Sequence, residues 1–238
     1  AIDQFNGHIS FHDQSLEVNN GTAQLPNIHI TKIHTLIPYL KQGDVDITSQ
    51  IAGDLKGVTN YFIHTPLSLA ALFKDLKGEG AFNGSLHMNI PVRDLAKGVK
   101  VDGHMIMHNA IWDAKAWSTR MTNANGSVDF TQTGVTSNNI TGTLFGSPTQ
   151  ITMIPIKEVG VAKPVIKIHL TGTYSLPTVL KTYVPQLEPF VSGQASISMY
   201  LHVYEADAHK DDVMTIDSNL LGAKVSQFPD GISKKALE

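Results

Sequence analysis

Hydrophobic and polar residues alternate with a period of two along most of the chain, as in strands that present one apolar and one polar face. The clearest stretch is Gly80–Pro91: Phe82, Leu86, Met88 and Ile90 share one parity with Gly84, and Asn83, Ser85, His87 and Asn89 hold the other. The pattern returns at Ser192–Val203, where Ala195, Ile197, Met199, Leu201 and Val203 alternate with Ser196, Ser198, Tyr200 and His202. Ile166, Ile168, Leu170 and Tyr174 form a third row against Lys167, His169, Thr171 and Thr173. Shorter rows at Ile9–Phe11, Leu16–Val18, Ile28–Ile30, Val45–Ile51, Ile140–Leu144 and Met214–Ile216 predict further half-buried strands. Between Val101 and Trp112 the alternation blurs. There Met105, Met107 and Ile111 oppose His104, Ile106, His108, Ala110 and Trp112, which predicts a strand partly covered on both faces.

Asn20-Gly21 and Asn125-Gly126 tolerate positive φ and predict chain reversals. A helical period replaces the alternation in two places. Pro66–Leu76, with Leu69, Leu72, Phe73 and Leu76 on one side, predicts a short amphipathic helix, and Leu176–Phe190, broken by Pro185 and Pro189, predicts two short helical turns. Gly84, Gly103, Gly126, Gly142, Gly172 and Gly193 sit in or beside strands. This serial arrangement suits antiparallel hairpins rather than βαβ units, and interior glycine permits sheet curvature. The pattern thus predicts a mostly β fold: a curved antiparallel sheet with an apolar concave face and one or two short helices, too few to cover it.

The 238 residues, 42% of them hydrophobic, suffice for one large β unit or two ordinary domains. Only 16% are charged and the net charge is −3, so no basic field exists for a phosphate backbone and nucleic acid is not an expected partner. Cysteine is absent, which excludes disulfides and thiolate metal sites. A start at Ala1 rather than Met is expected of a piece of a longer protein, and Leu237-Glu238 of a cloning remnant.

Catalytic patterns are missing. Gly142-Thr-Leu-Phe-Gly146 lacks the serine of a nucleophile elbow, and neither a phosphate-cradling glycine loop nor His-Glu-x-x-His occurs. Asp211-Asp212 falls in the polar stretch Glu205–Asp212 and reads as a solvated turn. His8 with His12, and His104 with His108, are four residues apart, roughly 13 Å along a strand; zinc needs its ligands about 2 Å away. No cofactor, metal or enzymatic activity is therefore predicted. The Asn-x-Ser/Thr triplets at Asn20, Asn83, Asn125 and Asn139 read as turn chemistry. The apolar rows leave two readings open: the core of a closed β-sandwich acting as a structural or adhesive module, or a groove for aliphatic ligands, for which Met88, Met105, Met107 and Met199 supply an adaptable lining.

The tail, Met214-Thr-Ile-Asp-Ser-Asn-Leu-Leu-Gly-Ala-Lys-Val-Ser-Gln-Phe-Pro229, resembles a motif of the YhdP branch of the bacterial AsmA-like family: an apolar strand, then Ser-Asp-Leu-x-Gly, and later Leu-Pro-x-Pro and Gly-Lys. Other parts match in order. Thr65-Pro-Leu67 resembles that family's Ser-Pro-Leu before a helix, Asn89-Ile-Pro-Val92 its Ile-Pro-Leu, Gly126-Ser-Val-Asp-Phe130 its Gly-x-Leu-x-Phe and Val191-Ser-Gly193 its Leu-Ser-Gly. Asn219, Asp230 and Ser233-Lys234 depart from the pattern.

The resemblance implies that residues 1–238 are one β-rich periplasmic segment of a longer bridge-like lipid transfer protein. Its fold would be a U-shaped sheet whose concave face carries phospholipids between the inner and outer membranes of a Gram-negative bacterium. Implied partners are phospholipids, the remainder of the same chain, and both membranes through segments outside this one, including an inner-membrane anchor. On this reading the groove is lined by Phe82, Leu86, Met88, Ile90, Met105, Met107, Ile166, Ile168, Leu170, Ala195, Ile197, Met199 and Leu201. No catalytic residue is required.

Overall fold

All but the last strand pair with their neighbours in the chain. The structure, a computed structural model, describes residues 3–41, 43–63, 76–162, 164–204 and 210–226. Its strands are β1 (Asp3–His12), β2 (Ser15–Leu25), β3 (Ile28–Ile37), β4 (Val45–Asp54), β5 (Leu76–Ile90), β6 (Lys100–Ala114), β7 (Thr119–Thr131), β8 (Gly134–Leu144), β9 (Ser147–Ile156), β10 (Val165–Ser175), β11 (Val191–Val203), β12 (Val213–Ser218) and β13 (Ala223–Val225). The first twelve lie side by side in chain order and β13 adds to β11, giving one open antiparallel sheet of 13 strands.

Serial antiparallel pairing sends alternate connections to opposite rims. The first rim carries the β1–β2, β3–β4, β5–β6, β7–β8, β9–β10 and β11–β12 connections. The second carries the two α-helices of the described residues: α1 (Leu55–Ile63) after β4, and α2 (Leu176–Tyr183) after β10. Proline near the start of α2 presets its first turn, and a 3-10 turn at Pro185–Phe190 follows Val184, so the predicted pair of short turns is present.

The helix predicted at Pro66–Leu76 lies outside the described residues except for Leu76, which opens β5. A helix not predicted, α1, begins at Leu55, where Asp54 Oδ1 accepts a hydrogen bond from Lys56 N at 2.9 Å. Its Gly57 and Thr59 are weak helix formers and hid it from the pattern. Gly57 is there for space, since a Cβ would stand 2.7 Å from the Pro26 carbonyl oxygen.

Neither Asn-Gly pair reverses the chain. Asn20-Gly21 lies inside β2 and Asn125-Gly126 inside β7. Positive φ suits a bulge as well as a hairpin turn, and here it serves bulges: Asn20 (52°), Lys32 (50°), Gly80 (113°), Asn109 (47°), Asn123 (52°) and Gly126 (145°) all lie within strands. Register shifts accompany them in the β1–β2, β2–β3, β3–β4, β5–β6, β6–β7, β7–β8 and β8–β9 ladders. A bulge bends its strand, and bulges on neighbouring strands curve the whole sheet. The asparagines also satisfy the amides that bulges release. Asn125 Oδ1 accepts from Asn109 N at 2.9 Å, and Asn139 Oδ1 from Ser127 N at 3.0 Å. The four Asn-x-Ser/Thr asparagines therefore serve strands, not turns.

The bulge at Asn109 also explains the blurred alternation in β6. Past it the parity inverts, so Ala110 and Trp112 join Met105 and Met107 on the apolar face instead of opposing them.

Candidate functional site

Register alone assembles the apolar face. Across β5 and β6, Phe82 stands opposite Met107, Gly84 opposite Met105 and Leu86 opposite Gly103, while Met88 and Ile90 face Ile47 and Val45 of β4. Across β10 and β11, Ile168 stands opposite Leu201, Leu170 opposite Met199 and Tyr174 opposite Ala195; Ile166 faces Val203, and Ile197 faces Gly172. The residues predicted as lining thus occupy one face in two blocks. Phe82, Met105, Met107, Ile166, Ala195, Ile197 and Met199 are buried, and Leu86, Met88, Ile90, Ile168, Leu170 and Leu201 half-buried.

The blocks are bridged by residues that sequence reasoning did not place on the face: Met121 and Val128 of β7, Ile140 and Leu144 of β8, and Ile151 and Met153 of β9. The alternation was visible in these strands, but the parity inversions at bulges concealed which parity looked inward.

A cavity of about 150 Å³ on this face is lined from β5 through β11, by Leu76, Met107, Trp112, Met153 and Leu201 among others. In a flat sheet β5 and β11 would lie roughly 29 Å apart. One small cavity can touch both only if the apolar face is concave.

Rings fill the gaps that glycines leave on it. Phe130 lies where a Cβ on Gly103 would stand, the Trp112 indole where one on Gly78 would, and the Tyr174 phenol where one on Gly172 would. Aromatic cover of a strand glycine restores the packing that the missing side chain forfeits. Polar atoms on the face are satisfied internally: Ser137 Oγ donates to the Ser127 carbonyl at 2.6 Å, and Thr149 Oγ1 lies 2.9 Å from the Tyr174 hydroxyl. Among the described residues no charged side chain lines the cavity.

Along the second rim α2 turns Leu176 and Val179 onto Leu144, Ala195, Ile197 and Met199. Phe145 meets Tyr174 and Tyr183 edge to face, with ring centres 5.9 and 6.0 Å apart. Tyr183 Oη donates to the Trp117 carbonyl at 3.1 Å, tying α2 to the β6–β7 connection. Burial raises both the Tyr174 and Tyr183 phenols above the ordinary tyrosine range, and the Thr149 hydrogen bond partly opposes this at Tyr174. On the first rim Glu158 accepts from Lys210 Nζ at 2.6 Å and from the Tyr204 hydroxyl at 2.7 Å; these bonds, Lys210's first, pull its carboxyl below the ordinary range. Asp212, expected in a solvated turn, accepts from Tyr204 N at 2.8 Å.

The outer face is polar. His87 Nε2 lies 2.8 Å from Asp46, His104 Nδ1 2.6 Å from Asp129 and His108 Nε2 2.6 Å from Asn83. Each histidine has its own partner, and among the described residues no group of three His, Cys, Asp or Glu could hold a metal ion. No helix among them is long and apolar enough to cross a membrane.

The family model described as YhdP protein matches residues 1–238. The intermembrane phospholipid transporter YhdP of Escherichia coli (strain K12) is 24% identical to the chain over 153 residues, which is 63% of this chain and 12% of that relative. The chain thus spans a small part of that relative's length. No solved structure matches it.

Proposed function

Because the chain belongs to the YhdP protein family, we propose that it is one segment of a bridge-like conduit along which phospholipids slide on the apolar concave face. The observation that carries this reading is the continuity of that face from β5 to β11, with no charged side chain among the described residues that line its cavity. The full conduit would stand in the periplasm of a Gram-negative bacterium, anchored in the inner membrane and continued toward the outer membrane by the rest of the chain.

The energetics favour a trough over free diffusion. Exposing two chains of about 16 carbons to water costs on the order of 20 kcal/mol at ~0.8 kcal/mol per methylene. A lining without a specific pocket removes most of that cost, and because neighbouring positions are nearly equivalent it sets no deep trap. The headgroup stays in water, and no bond is made or broken. A cavity of about 150 Å³ admits a molecule the size of benzene, so it holds part of one acyl chain. Met105, Met107, Met121 and Met153 line it, and their unbranched thioethers change rotamer readily to make room for more. The rival reading, a closed β-sandwich, needs a second sheet facing the first, whereas the described strands form a single sheet with β1 and β12 at its ends.

Mass spectrometry of lipid extracted from the purified chain tests the proposal. Phospholipid should co-purify, and Met88→Asp, which places a charge on a half-buried row, should reduce it severalfold while the circular dichroism of the sheet persists. A folded chain that takes up no phospholipid from labelled vesicles would overturn it in favour of the sandwich-like module.

A further inference from the structure

The outer face of β8–β12 carries a row that lipid transport leaves unused. Thr141 pairs with Gln150, Gln150 with Thr171, Thr171 with Ser198 and Ser198 with Asp217. Adjacent strands are about 4.8 Å apart, so these side chains form a line roughly 19 Å long. Among the described residues none of them hydrogen-bonds or ion-pairs to another side chain.

The flanking rows are engaged. On one side Thr173 Oγ1 lies 3.2 Å from Ser196 Oγ, and Ser218 Oγ donates to the Ser196 carbonyl at 2.8 Å. On the other side the His169 and Tyr200 rings stack 4.3 Å apart with Lys167 Nζ over the tyrosine. Between these ordered rows lies an open hollow of about 950 Å³ that includes the whole line, and an adjoining hollow of about 290 Å³ shares Thr141, Gln150 and Thr171. Twist accounts for a hollow on the outer face, because a twisted sheet curved one way along its strands is saddle-shaped.

The lining selects a chemistry. Among the described residues neither Lys nor Arg borders the hollow and Asp217 is its one carboxylate, so they supply none of the cations that hold phosphate or sulfate. Hydroxyls and the Gln150 amide both donate and accept, which suits a ligand whose own hydroxyls do the same. The polar groups recur at one strand spacing, a distance close to the advance per ring of an extended sugar chain. We propose that this row binds an extended, uncharged oligosaccharide lying across β8–β12. The sugar could belong to a free polysaccharide or to the head of a glycolipid, and the outer face meets either from solvent.

The test is a nuclear magnetic resonance titration of the 238-residue chain with cellotetraose, with chitotetraose and with a sulfated tetrasaccharide, followed by competition with vesicles of phosphatidylcholine carrying a neutral glycolipid. At least one uncharged tetrasaccharide should shift the amides of Gln150, Thr171 and Ser198 saturably. Gln150→Leu and Thr171→Val, both on the solvent face of the sheet, should each weaken it by about tenfold. Competition by the vesicles would assign the glycolipid source, and its absence a free polymer. The proposal is overturned if no uncharged sugar shifts this row, if both variants bind as the parent does, or if the sulfated sugar binds more tightly.

Discussion

Two parts of the one sheet cover their apolar surface by different means. From β5 to β9 every ladder carries a register shift, and backbone bends fold the face over Met105, Met107, Val128 and Ile140. From β9 to β12 the ladders run without interruption; Ile166 to Ser175 of β10 pair with β11 residue by residue. Here no register shift interrupts the ladders, and cover comes from α2 with the Tyr174–Phe145–Tyr183 rings. Curvature and a lid are thus alternative solutions to one problem, an apolar face too large for water. The first is written in asparagine and glycine, the second in aromatic residues and a helix.

A buried charge breaks both parts alike. Met107→Asp in the bulged part and Met199→Asp in the regular part each put a carboxylate at a position at most 2% exposed, which should cost more than about 4 kcal/mol and be read as loss of cooperative unfolding in urea. Met88→Asp, half-buried, should cost only about 1–2 kcal/mol, leaving a folded sheet from which severalfold less phospholipid co-purifies.

Alkali should separate the two. Tyr174 and Tyr183 have raised phenol pKa values in the fold, so they stabilise it fully below the ordinary value near 10, and that contribution is lost as pH rises above it. The regular part, measured by hydrogen exchange in β10 and β11, should therefore open before the bulged part does. Tyr183→Phe, which deletes the bond to the Trp117 carbonyl, should cost about 1 kcal/mol and remove its share of this alkaline sensitivity.

Backbone conformation separates them in the opposite direction. Asn109→Val forces a β-branched residue into positive φ and should cost about 1–3 kcal/mol, with Asn109→Gly much milder. Thr171→Val, on a regular strand, should change stability by less than about 0.5 kcal/mol. Thermal unfolding of the three variants checks the contrast.

The smallest effect concerns the first rim. The carboxyl of Glu158 is lowered by Lys210 and Tyr204, so its contribution is present above the ordinary glutamate range and lost as pH falls through the depressed folded value. Glu158→Gln should flatten the acid side of the melting curve slightly, with Tyr204 ring resonances reporting the released hydroxyl.

How much of this was legible follows the same division. On β5 past its bulge at Gly80, and along β10 and β11, uninterrupted alternation made the inward parity readable, and Phe82, Ile168 and Met199 share one face as their spacing predicted. Past a bulge the spacing misleads: Ala110, Trp112 and Met121 face inward only because Asn109 and Asn123 take positive φ. Asn20-Gly21 carries a turn's signature, and only pairing with β1 and β3 on both sides of it distinguishes a bent strand from a reversal. Interior glycines predicted a curved sheet, but the cavity itself could not be read, since it depends on bringing β5 near β11 and no local pattern says which strands the curvature brings together.

The identity of chain order and strand order has a consequence for how such a molecule is made. Every ladder from β1 to β12 joins segments adjacent in the sequence, so pairing requires only short loop closures and no strand waits for a partner synthesised much later. A chain delivered from one end can zip up as it arrives, each strand templating the next. For the same reason strands can be added or removed in pairs without rewiring the rest, as in repeat proteins where stability is a sum over neighbours. Length is then a free variable.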